Sequence, residues 1–306
     1  MDNLIKKLIG SVSKVIKGKE EAITYAVVTL LARGHLLIED VPGVGKTTLA
    51  FTLAKAIACA FQRIQCTSDL LPSDIIGVNI YNPETREFEF RQGPLFANIV
   101  LIDEINRTSP KTQSALLEAM SERRVSVERR TYHVPDPFMV IATQNPVEYH
   151  GTFPLPESQL DRFMMHFRIG YPDKESEKQA LLDIRDFDDI EKEGHVLTKE
   201  DILKMQGEIN SVRADKDILD YVLAIVKETR KHDRIRLGVS TRGAQFLVKA
   251  SRSLAYVNGR DYILPDDVKE LSPMVFGHRI ILKSRTYISD ADEIIRDIVE
   301  RINVPV

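Results

Sequence analysis

The sequence predicts an α/β fold, a parallel sheet flanked by helices, followed by a smaller helical unit. Three observations predict it. Five strand-like runs, at 35–39, 62–66, 99–103, 138–143 and 164–169, alternate with helical patterns. Beyond "IGYPDKESEK" (169–178) apolar residues recur at helical spacing and no convincing strand remains. Residues able to do chemistry fall at the ends of the runs, where an open parallel sheet binds its ligands.

Leu36, Leu37 and Ile38 form the first run, of the kind a buried parallel strand shows. "EDVPGVGKTTLA" (39–50) follows. After the turn, Leu49, Leu53 and Ile57 recur with Ala50, Ala54 and Ala58 beside them, as on one helix face. Strand, turn (Pro42, Gly43, Val44, Gly45) and helix together make a phosphate cradle. The glycines allow consecutive N–H groups to face inward, and the helix adds the positive end of its dipole. Lys46 can reach terminal phosphates and the Thr47 hydroxyl can ligate Mg²⁺, with Thr48 beside it in the helix's first turn. The nucleotide-binding pattern begins with Gly, four residues before Gly-Lys-Ser/Thr. Asp40 stands in that first place. A carboxylate facing phosphate would repel it, so the Asp40 side chain is expected to turn away from the cradle.

The third run, "NIVLIDEINR" (98–107), ends on two adjacent carboxylates. Phosphoryl transfer needs a metal held by a carboxylate at a strand end, and hydrolysis needs a group that orients water. Asp103 is expected to serve Mg²⁺ from behind its bound water, and Glu104 to polarise the attacking water.

With these residues the sequence resembles the MoxR family of AAA+ ATPases. The resemblance is carried by "EDVPGVGKTTLA", "PSDIIG", "FRQGPLFANIVLIDEINR", "KTQSALLEAMSERRVSV", "VIATQNPVEYHGTFPLPESQLDRF" and "STRGAQFLVKASRSLA", and covers most of the chain. In that family Asp commonly holds the place of the first glycine. The resemblance implies a P-loop ATPase core (1–172), a small all-α lid (173–306) and a ring, usually of six subunits, with ATP between neighbours. Asn145 in "ATQNP" matches the polar sensor for water or γ-phosphate, and the apolar strand "FMVIAT" before it agrees. Arg162 in "LPESQLDRF" matches the arginine finger that reaches a neighbour's nucleotide; the alternative is an ion pair with Glu157 or Asp161 on its own helix. Arg242 in "VSTRGA" matches the second sensor, on the lid, where the family more often has Ala-Ser-Pro-Arg. With Ser240 or Thr241 as N-cap, Arg242 falls in a first helical turn, where the dipole disfavours a cation unless an anion is its partner.

Two segments interrupt the core. "VNIYNPETREFEF" (78–90) and "RRVSVERRTYHV" (123–134) alternate as β-hairpins do. Both resemble insertions by which related proteins engage clients or line a channel; alternatively they cover apolar surface or pack between subunits. In the lid, Ile218, Tyr221, Val222 and Ile225 share a helix face, as do Leu247, Ala250 and Leu254, and Pro265 with Asp266 marks a helix start.

The chain's 306 residues allow a sizeable core and two domains. A net charge of −3 gives no overall drive toward nucleic acid. Arg123, Arg124, Arg129 and Arg130 keep a nucleic-acid motor open as an alternative, but no basic domain or recognition-helix module accompanies them. A scaffold that hydrolyses slowly is a further alternative. Cys59 and Cys66 cannot build a disulfide framework and are expected in the core. No run approaches the ~20 apolar residues of a membrane span, and the N-terminus lacks a signal peptide's continuous apolar stretch, so a cytoplasmic location is expected. The leading expectation is an ATP-hydrolysing ring that remodels a protein client. The resemblance implies clients with von Willebrand factor A domains.

Overall fold

The computed structural model describes residues 2–128, 130–145, 152–183, 187–283 and 288–304. Two helices, α1 (Asp2–Val15) and α2 (Glu20–Leu31), lead into β1 (Leu36–Glu39). After it come α3 (Lys46–Ala56), β2 (Phe61–Gln65), the short α4 (Pro72–Ile76) and a hairpin of β3 (Gly77–Asn82) and β4 (Glu87–Gln92). Next are β5 (Ile99–Asp103), α5 (Pro110–Glu122), a second hairpin of β6 (Arg124–Val127) and β7 (Arg130–His133), β8 (Met139–Gln144), α6 (Glu157–Leu160) and β9 (Met165–Phe167). The remainder holds α7 (Lys174–Leu182), α8 (Phe187–Lys192), α9 (Lys199–Glu208), α10 (Lys216–Lys231), β10 (Ile235–Leu237), α11 (Thr241–Val257), α12 (Pro265–Phe276), β11 (Ile281–Leu282) and α13 (Ile288–Arg301).

The five expected runs form one parallel sheet in the order β2-β5-β8-β1-β9. The apolar character of the three central strands, β1, β5 and β8, follows from burial on both faces, whereas β2 at the edge exposes Gln62, Arg63 and Gln65. Leu36, Ile38, Ile99, Leu101, Met139 and Ile141 feed one core, against α1, α2 and α3. Alternate residues Leu37, Val100, Ile102, Val140 and Ala142 feed another, against α5. The first core continues into the helical half through Leu247, Leu254, Val268 and Ile295. Polar ties cross as well: Ser253 Oγ donates to the Val28 carbonyl and Gln206 Nε2 to that of Leu30, both at 2.8 Å.

Both hairpins form, and they touch, with Phe90 of β4 stacked on Tyr132 of β7 at 4.1 Å between ring centroids. Arg129 lies outside the described residues. Ala58 falls outside α3 and takes a left-handed backbone (φ 51°), because the helix ends at Ala56. The helical half is not purely α: β10 and β11 pair antiparallel, matching Ile235 with Leu282. Strands of three and two residues are too short to carry a period-two signal, and Ile235 alone of β10 is buried. Both cysteines are free and buried, and burial pushes their thiols up to about 11 (Cys59) and about 12 (Cys66), as expected of core residues. Among the described residues no helix is long and apolar enough to cross a membrane.

Candidate active site

Because β1, β8 and β5 are neighbours and parallel, their carboxyl ends bring the turn after β1, Asn145 after β8 and Asp103–Glu104 after β5 to one sheet edge. Gly43 and Gly45 both have φ 89°, a left-handed conformation that side-chain-bearing residues rarely adopt. Gly45 caps α3, so Lys46, Thr47 and Thr48 occupy its first turn. Asp40 does turn away. Its carboxylate accepts from the Val41 N–H (2.9 Å) and from the Gly170 N–H (2.6 Å), tying the turn to the chain leaving β9. A glycine is therefore not required at that position.

Lys46 Nζ donates to the Asp40 carbonyl at 2.7 Å. Burial lowers its pKa, opposed by the carboxylates of Asp103, Asp40 and Glu104. Pro42, Gly43, Gly45, Lys46, Thr47 and Thr48 line a hollow of about 410 Å³ whose other wall is Asp103, Glu104, Arg63 and Gln65. Val44 instead packs toward the apolar core. Thr47 and Asp103 thus face one space with the chemistry Mg²⁺ takes, a hydroxyl and a carboxylate that leave room for waters and phosphate oxygens. Among the described residues no group of three or more His, Cys, Asp or Glu forms a protein-only cage, and such a cage is not what Mg²⁺ needs.

The carboxylates are held in place by residues to which the sequence assigns no role in the site. Thr143 at the end of β8 donates its hydroxyl to Asp103 Oδ1 (2.7 Å) and accepts from the Glu104 N–H (2.9 Å). Arg63 of β2 pairs with Asp103 Oδ2 at 2.5 Å. Glu104 Oε2 accepts from Arg107 (2.9 Å) and Gln65 (3.3 Å). Glu104 itself stands at φ 57°, ψ 52°, a left-handed conformation costing a non-glycine residue about 1–3 kcal/mol. That strain aims its carboxylate at the hollow. Asn145, the residue after β8, is buried at the same edge.

Arg162 and Arg242 are elsewhere. Arg162, in the turn after α6, donates to the Leu117 carbonyl (2.6 Å) and to Ser121 Oγ (2.8 Å) on α5. The alternative partner Asp161 is taken by Arg279. Ser240 caps α11 through the Gly243 N–H (3.1 Å), which puts Arg242 in the first turn as expected, its guanidinium 5.5 Å from the Phe246 ring centroid. Both arginines line one pocket of about 430 Å³ with Arg33, Arg123, Lys249 and Arg252, and none of its lining residues is acidic. His35 there adds no charge at neutral pH. Its Nδ1 accepts from the Val140 N–H and its Nε2 donates to the Met120 carbonyl, both at 3.0 Å, and burial pushes its pKa down to about 4. Gly34 and His35 precede β1, and Met164 precedes β9. The pocket therefore opens at the amino-terminal edge of the sheet, opposite the hollow of Lys46, Asp103 and Glu104.

The profile described as "ATPase family associated with various cellular activities (AAA)" matches residues 35–165, and that of the AAA lid domain matches 227–301. The chain is 41% identical to the Chaperone MoxR1 of Mycobacterium tuberculosis, over 96% of this chain and 79% of that protein. It belongs to the MoxR family of AAA+ ATPases. A further relative of this MoxR-family chain is the uncharacterized protein YeaC of Bacillus subtilis, 49% identical over 99% of this chain and 95% of that one. A Cytophaga hutchinsonii protein solved by crystallography and assigned as an ATPase superimposes with a TM-score of 0.88, at 40% identity, covering all of this chain and 96% of its own.

Within the MoxR-family site, Thr143 supports the Asp103 carboxylate and the Glu104 backbone at once. Thr143→Val leaves the Glu104 N–H and Asp103 Oδ1 each short of a partner, at about 1–3 kcal/mol for an unmet buried group. The variant should melt about 2–5 °C lower by calorimetry. Its steady-state turnover should fall about tenfold or more as Glu104 loses its aim. Wild-type turnover in this variant would dismiss the bridging role.

Proposed function

We propose that this chain binds Mg²⁺·ATP and hydrolyses it between neighbouring copies of itself in a ring of six, using the cycle to remodel a protein client. The observation that carries the reading is the separation of Arg162 and Arg242 from their own chain's carboxylates across the width of the sheet. One copy presents the phosphate cradle and water-activating carboxylate, and the next presents the cations that meet charge developing on the γ-phosphate.

In this reading residues 42–48 cradle the phosphates through backbone N–H groups and Lys46 neutralises them. Thr47 ligates Mg²⁺ and Asp103 accepts from its water. Bound Mg²⁺ would withdraw charge from the phosphate oxygens. Glu104 polarises the attacking water and Asn145 holds that water or the γ-phosphate. Residues 1–172 form the motor core and 173–306 the lid.

The name of the mycobacterial relative, a chaperone, supports a protein client, and the family resemblance points to one with a von Willebrand factor A domain. The first hairpin offers an apolar contact surface in Tyr81 and Phe88, 50% and 65% exposed. The nucleic-acid alternative draws less support. Arg123 pairs with Asp136 and Arg124 with Glu122, and the first hairpin interleaves Glu87 and Glu89 with its cations.

Lys46→Ala tests the cradle on which the reading rests. Losing a charge-assisted contact to two phosphates should weaken ATP binding about 100-fold or more and abolish ATP-dependent assembly in sedimentation velocity. Unchanged nucleotide affinity by titration calorimetry rules the assignment out. Stimulation of wild-type turnover by a von Willebrand factor A domain protein supports the client; stimulation by DNA alone replaces it with the nucleic-acid motor.

A further inference from the structure

Arg279 stands in the 3₁₀ turn Gly277–Arg279 between α12 and β11 and is buried, 7% exposed. A guanidinium is tolerated there only where its charge and donors are met. They are met chiefly by the chain between α6 and β9. Nε donates to Asp161 Oδ1 at 2.8 Å. Nη2 donates to the carbonyls of Asp161 (3.2 Å) and Phe163, and Nη1 to those of Met164 (3.3 Å) and Val275. Next to it, His278 Nε2 lies 3.1 Å from the Phe163 carbonyl. One lid side chain thus holds, along its backbone, the turn in which Arg162 stands.

The same guanidinium also bears on Arg242. It lies 5.0 Å from the Phe246 ring centroid, and Arg242 lies 5.5 Å from the same ring. Gly243, beside Arg242, has no side chain for a steric reason: a Cβ there would stand 3.0 Å from Arg279 Cδ and 2.7 Å from Val239. Arg279 passes through the space that glycine leaves under the first turn of α11. Burial lowers its pKa to about 10, opposed by Asp161, so it stays charged at neutral pH.

We propose that Arg279 is a positioning residue for hydrolysis: it fixes the turn of Arg162 and the lid helix of Arg242 in one register, so that both arginines reach a neighbour's phosphates together. The inference rests on the reading that this pair serves a neighbouring copy.

The test uses full-length protein. Arg279→Lys keeps the charge but replaces a rigid five-donor fork with a flexible point. Turnover should fall about ten- to a hundredfold, the effect of a displacement near 1 Å, while the subunit's own ATP affinity stays within about threefold. The deciding readout is complementation. Arg279→Lys subunits retain Glu104, and Glu104→Gln subunits retain a correctly set arginine pair. Mixed in equal amounts, they should recover activity as a mixture of Arg162→Ala with Glu104→Gln does. A merely structural defect is not rescued by a neighbour. Recovery in the Arg162→Ala mixture but not in the Arg279→Lys mixture overturns the positioning role and leaves the ring reading standing. Full turnover in Arg162→Ala alone overturns the ring reading itself. If Arg279→Lys does not fold, Asp161→Asn takes its place in the mixture, since it removes the charge that pairs with Arg279 in the turn of Arg162 and leaves Glu104 untouched. Recovery then supports the positioning role, and its absence overturns it.

Discussion

Glu104→Gln should bind ATP and fail to hydrolyse it. The amide has the carboxylate's shape, and its oxygen can still accept from Arg107 and Gln65. The left-handed backbone and its tie to Thr143 need not move, because they involve only the main chain of residue 104. What is lost is basicity: an amide cannot draw a proton from water. General-base catalysis contributes about 10²–10⁴-fold, so turnover should fall by that factor while ATP affinity changes little. With hydrolysis blocked, the ATP-bound assembly should persist, and sizing chromatography with Mg²⁺·ATP should show a stable higher oligomer. Turnover within a few-fold of wild type would remove Glu104 from the chemistry and leave Asp103 as the carboxylate to examine.

How far the sequence reveals this site depends on whether a residue's role is local. Gly43, Gly45, Lys46 and Thr47 act through a turn and the first residues of one helix, so their spacing along the chain is their spacing in space. Asp103 and Glu104 end a strand whose apolar run announces it. Even the Asp40 substitution follows from charge alone, though not its anchor, the Gly170 N–H, which is 130 residues away. Thr143, Arg63 and Gln65 are invisible to local pattern because their importance depends on strand order. β8 and β2 flank β5 in the sheet, yet no stretch of sequence says so. The remaining signals are faint, a hydroxyl closing an apolar strand and two polar residues alternating near the end of β2. Arg279 is the extreme case. It acts across more than a hundred residues, in a segment whose short strand carries no periodicity. The fold is more legible than the site because burial on two faces leaves long apolar runs. The ribbon of β10 and β11 has no such run to announce it.

Mixing Arg162→Ala with Glu104→Gln should restore activity that neither has alone. Arg162 lines a pocket at the amino-terminal edge of the sheet, whereas its own Lys46, Asp103 and Glu104 line a hollow at the carboxyl edge. A side chain hydrogen-bonded to Leu117 and Ser121 on α5 stands away from its own chain's phosphate cradle, so in the proposed ring its partner phosphate belongs to another copy. Removing it therefore damages the adjacent site and spares its own carboxylates. A Glu104→Gln subunit is the complement, dead at its own site but presenting intact arginines. Each mutant alone should be nearly inactive, since an arginine supplied to a phosphoryl transition state is worth ~10³–10⁵ in rate. After subunit exchange, about a quarter of the junctions join an intact Glu104 to an intact Arg162, and activity should rise toward about a quarter of wild type if sites fire independently. Strict sequential firing lowers that figure, because a ring then stalls at its first dead junction. An arginine acting within its own chain gives no recovery at any ratio. Fluorescence transfer establishes that subunits have exchanged. Exchange without recovery at any ratio of the two mutants counts against a shared site or shows that one dead junction stalls the whole ring.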